Sequence, residues 1–394
     1  MRILITNESR SVHGGIETYL RAVSPRLVAG GHELAWLFGD SVSSGPGVDS
    51  GHDAQSWRTV DEVGTRAAIE RWRPDVVYAN GLHDPEWDSW LARRFPTYYF
   101  AHGFFGACIS GRKCNGVGSL RVCQRTLGPA CLLHYLPQRC GGRNPVRMLR
   151  DYGRERHRQR NLQEFAAIIV ASTYMAREYE RQGISSDRVH VLPLFPVGIS
   201  PDPEPPARRS NWTNTVLLVS RLTDVKGADL VVEAVAIAGG ILGRTLRLVV
   251  LGEGPRQAGI ESDSTRYRVP VEVVGWADIE QRNAAMREAD ALLVPSVWPE
   301  PFGLVGIEAG CVGLPSVAFG VGGTGDWLKS GESGESAAGG SPSAKTLGVA
   351  LARALASPDT HHRLRLGAWL VSQQYGINRH VDQLTRILDS GRPR

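Results

Sequence analysis

The stretch Val294-Pro295-Ser296-Val297-Trp298-Pro299-Glu300-Pro301-Phe302-Gly303-Leu304-Val305-Gly306-Ile307-Glu308-Ala309-Gly310 decides how the chain folds. The apolar run at 291–294 has the length and bounds of a buried strand. A loop with two prolines follows, and helical spacing begins after Glu300-Pro301-Phe302-Gly303. Pro301 suits a helix start, where its missing N–H costs nothing. The amides of Gly303 and Leu304 would then point out of the helix end, a place that favours anions. Glu300 stands just before this helix, and Glu308 lies about two turns on and roughly on the same side. A carboxylate, a row of amide donors and a second carboxylate suit a ligand with hydroxyls at both ends and phosphate in the middle.

Outward from this stretch, strands and helices alternate. In the second half, apolar strand patterns at 215–219, 246–251, 271–274 and 314–318 end in Ser220-Arg221, Gly252-Glu253-Gly254, Gly275-Trp276 and Gly320-Val321-Gly322-Gly323. In the first half, strands at 2–6, 34–38, 75–79, 97–101, 166–171 and 189–192 are predicted. A helix carrying Tyr19, Leu20, Val23 and Leu27 follows His13-Gly14-Gly15-Ile16-Glu17, and His102-Gly103 closes the strand at 97–101. Residues 40–58 and 330–343, rich in small and polar residues, read as loops. Pro201-Asp202-Pro203-Glu204-Pro205-Pro206 ends an interdomain linker. Such alternation implies parallel sheets with right-handed crossovers. The expected class is α/β, with two doubly wound Rossmann-like domains facing across a cleft and ligands held at the carboxyl ends of the strands.

At 394 residues, two domains are the natural division. A hydrophobic content of 42% and charged content of 22% fit a packed globular protein. The net charge of +5 is too mild to indicate nucleic acid, and no nucleic-acid partner is expected. MRILITNESR runs directly into a strand pattern without the features of a signal peptide, and no segment is long and apolar enough to span a bilayer. The expected location is cytoplasmic. Cys108, Cys114, Cys123, Cys131 and Cys140 crowd one window with His134, yet no C-x-x-C occurs. A structural zinc and reduced buried thiols both stay open there. Arg139, Arg143, Arg147, Arg150, Arg154, Arg156, Arg158 and Arg160 face only Asp151 and Glu155 in their segment. This run reads either as a solvated helix face or as contact with an anionic membrane or a phosphorylated acceptor.

Arg221 and Lys226 flank the turn between a strand and its helix, where two fixed cations can hold a diphosphate. When a nucleoside diphosphate leaves an anomeric carbon, it gains negative charge that must be neutralised. The sequence contains no D-x-D. Two cations and the amides at 303 and 304 are the metal-free solution, and no cofactor is expected beyond the open question of zinc at the cysteines.

The chain resembles the retaining GT-B glycosyltransferases of family four (glycosyl transferases group 1). The resemblance rests on His13-Gly14-Gly15-Ile16-Glu17, Gly31-His32-Glu33-Leu34, Pro74-Asp75-Val76-Val77 and Ala101-His102-Gly103. It continues through Ser220-Arg221-Leu222, Lys226-Gly227, Gly252-Glu253-Gly254-Pro255 and, most specifically, Glu300-x7-Glu308. It implies an acceptor-binding domain at 1–196 with a cysteine-containing insertion at 103–145, a nucleotide-sugar domain at 197–370, and a final helix at 371–394 crossing back to the first domain. Arg221 and Lys226 would grip the donor diphosphate, Glu308 the ribose, and Glu300 the sugar hydroxyls together with the backbone of Phe302, Gly303 and Leu304. Gly252 and Gly254 would belong to the donor site, Gly15 would approach phosphate or acceptor, and His102 would contact the transferring sugar. The catalytic set is His102, Glu300, Arg221 and Lys226. The linker 194–200 lacks the family's usual Asn-Gly, and Asp326 stands where a Glu often follows the Gly-Gly. The expected activity is metal-independent, retaining transfer of a hexose from a UDP- or GDP-sugar to a carbohydrate or lipid-linked acceptor, in polysaccharide or glycoconjugate assembly. A nucleotide-sugar 2-epimerase and a non-catalytic sugar-nucleotide-binding protein are the competing readings.

Overall fold

The computed structural model describes residues 1–12, 14–41, 47–48, 55–116, 120–337 and 341–390. His13 of the first glycine turn lies outside the described residues, as do parts of the two expected loops, 42–46, 49–54 and 338–340. The chain divides into two compact units. One comprises Met1–Lys113, Gln124–Pro193 and Ile377–Arg394; the other comprises Cys114–Cys123 and Leu194–Gly376.

The first unit runs β1 (Arg2–Ser9), α1 (Gly15–Ala29), β2 (Glu33–Ser41), β3 (Gln55–Arg58), α2 (Glu62–Trp72), β4 (Val76–Ala79), α3 (Pro85–Ala92) and β5 (Thr97–Ala101). It continues with α4 (Ala130–Tyr135), α5 (Pro145–Glu164), β6 (Ala167–Val170), α6 (Thr173–Glu180) and β7 (Val189–Val191). The sheet order is β3-β2-β1-β4-β5-β6-β7, all parallel. Its central strands are apolar on both faces, since helices cover both: Ile3, Leu4, Ile5 and Val76 to Ala79 are buried. α1 buries Tyr19, Leu20, Val23 and Leu27 along one face. The expected loop at 40–58 is corrected at its end, where Gln55–Arg58 pairs with β2 as an edge strand. Its residues are largely exposed, so no apolar run marks it.

The C-terminal helix Ile377–Asp389 belongs to this unit and packs on α1. A buried polar chain fixes it. His380 Nδ1 meets the Pro193 carbonyl at 2.7 Å and Nε2 meets the Tyr19 hydroxyl at 2.8 Å, which meets the Tyr78 hydroxyl at 2.8 Å. Burial pushes the His380 pKa down to about 4, so the ring is neutral. Nδ1 therefore carries the proton, Nε2 accepts from Tyr19, and Tyr19 accepts from Tyr78.

The second unit runs β8 (Thr215–Val219), α7 (Val231–Leu242), β9 (Arg247–Leu251), α8 (Gln257–Tyr267), β10 (Val271–Gly275), α9 (Ile279–Glu288) and β11 (Ala291–Val294). Then follow α10 (Leu304–Cys311), β12 (Ser316–Ala318), β13 (Gly334–Ser336), α11 (Ala344–Ala354) and α12 (Pro358–Ser372). The order β10-β9-β8-β11-β12-β13 is again parallel. β13 corrects the loop expected at 330–343: Gly334 lies so close to the Ser316 carbonyl that a side chain would collide, and small residues here serve sheet packing. Leu120 packs against this unit's core, beside an antiparallel ribbon of Cys114–Asn115 and Arg121–Val122.

In the cysteine segment of the first unit, Ile109, Leu127 and Tyr135 form a small core that Cys131 and Cys140 join. The six cysteines carry no disulfide. Among the described residues, no three His, Cys, Asp or Glu side chains gather as a metal site, and no helix is long and apolar enough to cross a membrane.

Candidate active site

The carboxyl ends of β10, β9, β8, β11 and β12 carry five turns in a row, tied to one another through the backbone. Ser220 N–H donates to Leu251 O at 3.1 Å, Leu222 N–H to Glu253 O at 2.9 Å, and Gly252 N–H to Gly275 O at 2.6 Å. Gly252 and Gly254 have φ of +143° and +155°, and a Cβ on either would collide with the carbonyls of Ser220 and Leu222. These two glycines let adjacent turns touch. Beyond them, Trp276 is 76% exposed.

At the next turn, Asp224–Lys226 forms a single 3-10 turn ended by Gly227. It delivers the Lys226 ammonium onto the Glu300 carboxylate, which also accepts from the Ser296 hydroxyl. Glu300 is buried and Lys226 half-buried. Arg221, at the head of the same turn, is exposed. The backbone of Glu300 is held in turn: Gly323 N–H donates to its carbonyl at 2.7 Å, in a short bridge to Gly322.

Gly303, with φ +79°, is the N-cap of α10 and has no side chain to satisfy the amides behind it. The N–H groups of Gly303 and Leu304 donate to no group among the described residues. Phe302 plays a different part from its neighbours. Its ring is buried against Tyr375, and its carbonyl accepts from Trp327 Nε1 at 2.7 Å, so its carbonyl is committed to the fold.

Glu308 lies buried in α10 and accepts from Arg282 Nη1 at 2.9 Å. Burial raises its pKa, against the lowering effect of Arg282 and of a backbone bond from Val197. Arg282 also donates to Val197 O at 3.1 Å. The two carboxylates of the 300–308 motif therefore answer to different cations, Lys226 and Arg282. Ser296 and Arg282 were missed in the sequence. Arg282 stands on α9, one turn inside a capping box of Asp278 and Gln281, and carries no local signal that it points at Glu308.

In the first unit, Gly15 opens α1 and is exposed, and a Cβ there would meet nothing within 4 Å. The protein's own packing does not demand a glycine at that position. His102 follows β5, stacked on Phe100 at 4.6 Å between ring centres. Burial, aided by His380, pushes its pKa down to about 3, so it is neutral. Its Nε2–H donates to Asn80 Oδ1 at 2.9 Å, and Asn80 is oriented by its own bond to Tyr78 O. The Nε2–H of His102 is thus engaged, and the nitrogen left to a ligand is Nδ1, an acceptor.

The arginine run separates by helix face. Arg154 and Arg158 turn inward on α5: Arg158 meets Glu155 at 2.6 Å, and Arg154 meets Asp151 at 3.0 Å. Arg139, Arg143, Arg147, Arg150, Arg156 and Arg160 are exposed.

Residues 205–368 match the family Glycosyl transferases group 1, and residues 13–195 match Glycosyltransferase Family 4. A glycogen synthase of Mycobacterium tuberculosis is 37% identical over 93 residues, 23% of this chain and 22% of that protein. The matched segment thus spans less than a quarter of that relative. The D-inositol 3-phosphate glycosyltransferase of Frankia alni is 27% identical over 92% of this chain and 91% of its own length. Among solved structures, HepE of Anabaena in complex with UDP superposes with a TM-score of 0.69 at 16% identity, covering 99% of this chain and all of that one. The sucrose-phosphate synthase of Thermosynechococcus elongatus gives 0.65 at 19% identity, with 98% of each chain covered.

Proposed function

Since the chain belongs to the group 1 glycosyltransferases and carries their GT-B fold of two Rossmann-like domains, we propose that it transfers a sugar from a nucleotide-sugar donor to a hydroxyl acceptor. The observation that carries this reading is the Lys226–Glu300–Ser296 cluster set beside the open amide end of α10. Lys226, Arg221 and the amides of Gly303 and Leu304 bind the diphosphate and neutralise its growing charge as it leaves. Glu300, held by two donors, accepts from hydroxyls of the donor sugar. Glu308, fixed by Arg282, accepts from the ribose, and Gly252 and Gly254 let the ligand approach the strand ends. His102, neutral, offers Nδ1 to a sugar hydroxyl. The two cations and the two amides account for the leaving group without a metal ion.

Transfer proceeds with retention in this proposal. Glu300 and Glu308 are both committed to cations, which suits hydroxyl binding and leaves neither placed as a nucleophile for a two-step route. The departing phosphate oxygen assists deprotonation of the acceptor on the same face. HepE is solved with UDP-glucose and a mycobacterial relative is named as GDP-mannose-dependent, so UDP- and GDP-sugars are the donors to try first. An acceptor at a lipid surface is supported by Leu133 and Val146, 77% and 74% exposed on the adjacent helices α4 and α5 beside Arg143, Arg147 and Arg150. Flotation with phosphatidylserine vesicles should carry the protein upward, and no difference from pure phosphatidylcholine vesicles would remove that placement.

A donor panel followed by released diphosphate is the direct test. Slow release from one UDP- or GDP-sugar, lost in Glu300→Ala, is expected. Epimerised donor without release would favour the 2-epimerase. Binding without turnover would favour a binding protein. An inverted product by NMR would end the retaining mechanism.

A further inference from the structure

The first unit holds a pocket of its own, a cavity of about 280 Å³ at the carboxyl ends of β1, β4 and β5, walled by α3 and α5. That is just below the roughly 300–1,000 Å³ of pockets that take drug-sized molecules. It suits one six-membered ring. Tyr99, Phe105 and Phe165 line it with flat apolar surface, the kind that packs on the C–H face of a ring.

Among this apolar lining stands Asp88, the fourth residue of α3. It is 3% exposed, and its Oδ1 has no hydrogen-bond partner. A buried carboxyl oxygen without a donor is costly and rare in a folded protein, and a ligand hydroxyl would satisfy it. The other charges in the lining already have partners, although Arg154 Nε makes no hydrogen bond of its own. Arg158 donates to Glu155 and to the carbonyls of Leu82 and His83. Arg154 donates to Asp151 and to His83. Glu8 accepts from the His83 amide at 2.7 Å. Arg154 and Arg158 are balanced on their own helix by Asp151 and Glu155, so a phosphate finds no uncompensated cation. His102 and Asn80, at its edge, add polar groups from the strand ends.

We propose that this pocket receives a single neutral polyhydroxylated ring, a sugar or a cyclitol, as the hydroxyl acceptor, and that the Asp88 carboxyl anchors it through a ring hydroxyl. The assignment of the ring as acceptor rests on the transfer reading above; the pocket's preference for a neutral ring stands apart from it. Asp88 acts as a specificity-determining group and leaves the diphosphate chemistry to the other unit.

Isothermal titration with myo-inositol and methyl α-D-glucopyranoside tests this on the full chain. At least one should bind saturably. Asp88→Ala should weaken it about tenfold, the worth of one hydrogen bond. Asp88→Asn, which keeps an acceptor, should recover most of that loss, and Ile16→Trp, which fills the pocket without changing its charge, should abolish binding. Thermal midpoints at or above wild type for the Asp88 variants would show that the fold is intact. The inference is overturned if neither ring binds, if Asp88→Ala binds as wild type does, or if glucose 6-phosphate or glucosamine binds in preference to the neutral rings. UDP and GDP titrated into the same samples separate the two proposals. Nucleotide binding without ring binding sinks the pocket alone, whereas ring binding without either nucleotide sinks the donor reading alone.

Discussion

The two strand edges of this protein treat buried carboxylates in opposite ways. In the second unit, Glu300 and Glu308 each lie against a cation of their own, Lys226 and Arg282. In the first, Asp88 is equally buried and has no donor on Oδ1, although Arg158 is near enough to favour its charged form. The contrast teaches what each edge is set up to meet. A paired carboxylate is held in place by its cation, beside the proposed leaving-group site. An unpaired one is held between protonation states, and its need for a partner is left for a neutral ligand to meet.

Breaking the charged edge should have the largest effect. Lys226→Ala removes a donor to Glu300 and a charge at the proposed diphosphate site, and kcat should fall about 10²–10³-fold in diphosphate release. Lys226→Arg should recover part of it. A Lys226→Ala enzyme within threefold of wild type would erase the distinction drawn between the edges. Next comes Arg282→Ala. It leaves Glu308 buried beside no cation, so unfolding in urea should show a loss of about 3 kcal/mol, together with weaker nucleotide binding. Unchanged stability would mean that Glu308 does not depend on Arg282.

Asp88→Asn should act in the other direction. The Asp88 carboxyl is raised from 3.8 to about 7 by burial, with Arg158 lowering it and Asp84 and Glu8 raising it. Between those values the folded chain holds a proton that the unfolded chain has released, so stability falls as pH rises through this window. Asp88→Asn should thus be more stable than wild type at pH 8, by about 2–4 kcal/mol, and equal to it near pH 4. A gain of the same size at both pH values would refute the burial of an unpartnered acid. The smallest expected effect is none: EDTA should leave turnover unchanged, since in the proposed mechanism the cations of the second unit balance the leaving group. A chelator-sensitive rate restored by Mg²⁺ would require a metal that the proposal omits.

Much of the fold could be read from the chain because parallel strands buried on both faces spell continuous apolar runs, as at 291–294 and 76–79, and their turns spell glycine. Gln55–Arg58 escaped because an exposed edge strand needs no apolar residues, and Gly334–Ser336 because tight packing selects small ones. In the site, Glu300 and Glu308 were legible from their place around a helix start. Their partners were not. Ser296 and Arg282 matter through where a loop and a helix face point, which the order of residues does not record. The arginine run was visible as composition, but the inward turn of Arg154 and Arg158 depends on which side of α5 packs on α3. Asp88, one of three acids at the start of α3, gave no signal at all.

The clasp of Tyr78, Tyr19, His380 and Pro193 joins residues from the two ends of the chain within one unit. On the ribosome, the whole of 194–376 emerges between Pro193 and His380. The second unit can therefore complete its core while the first still lacks its last helix, with Tyr19 waiting for its partner. Of these two units, the one whose first strand emerges earlier is finished later.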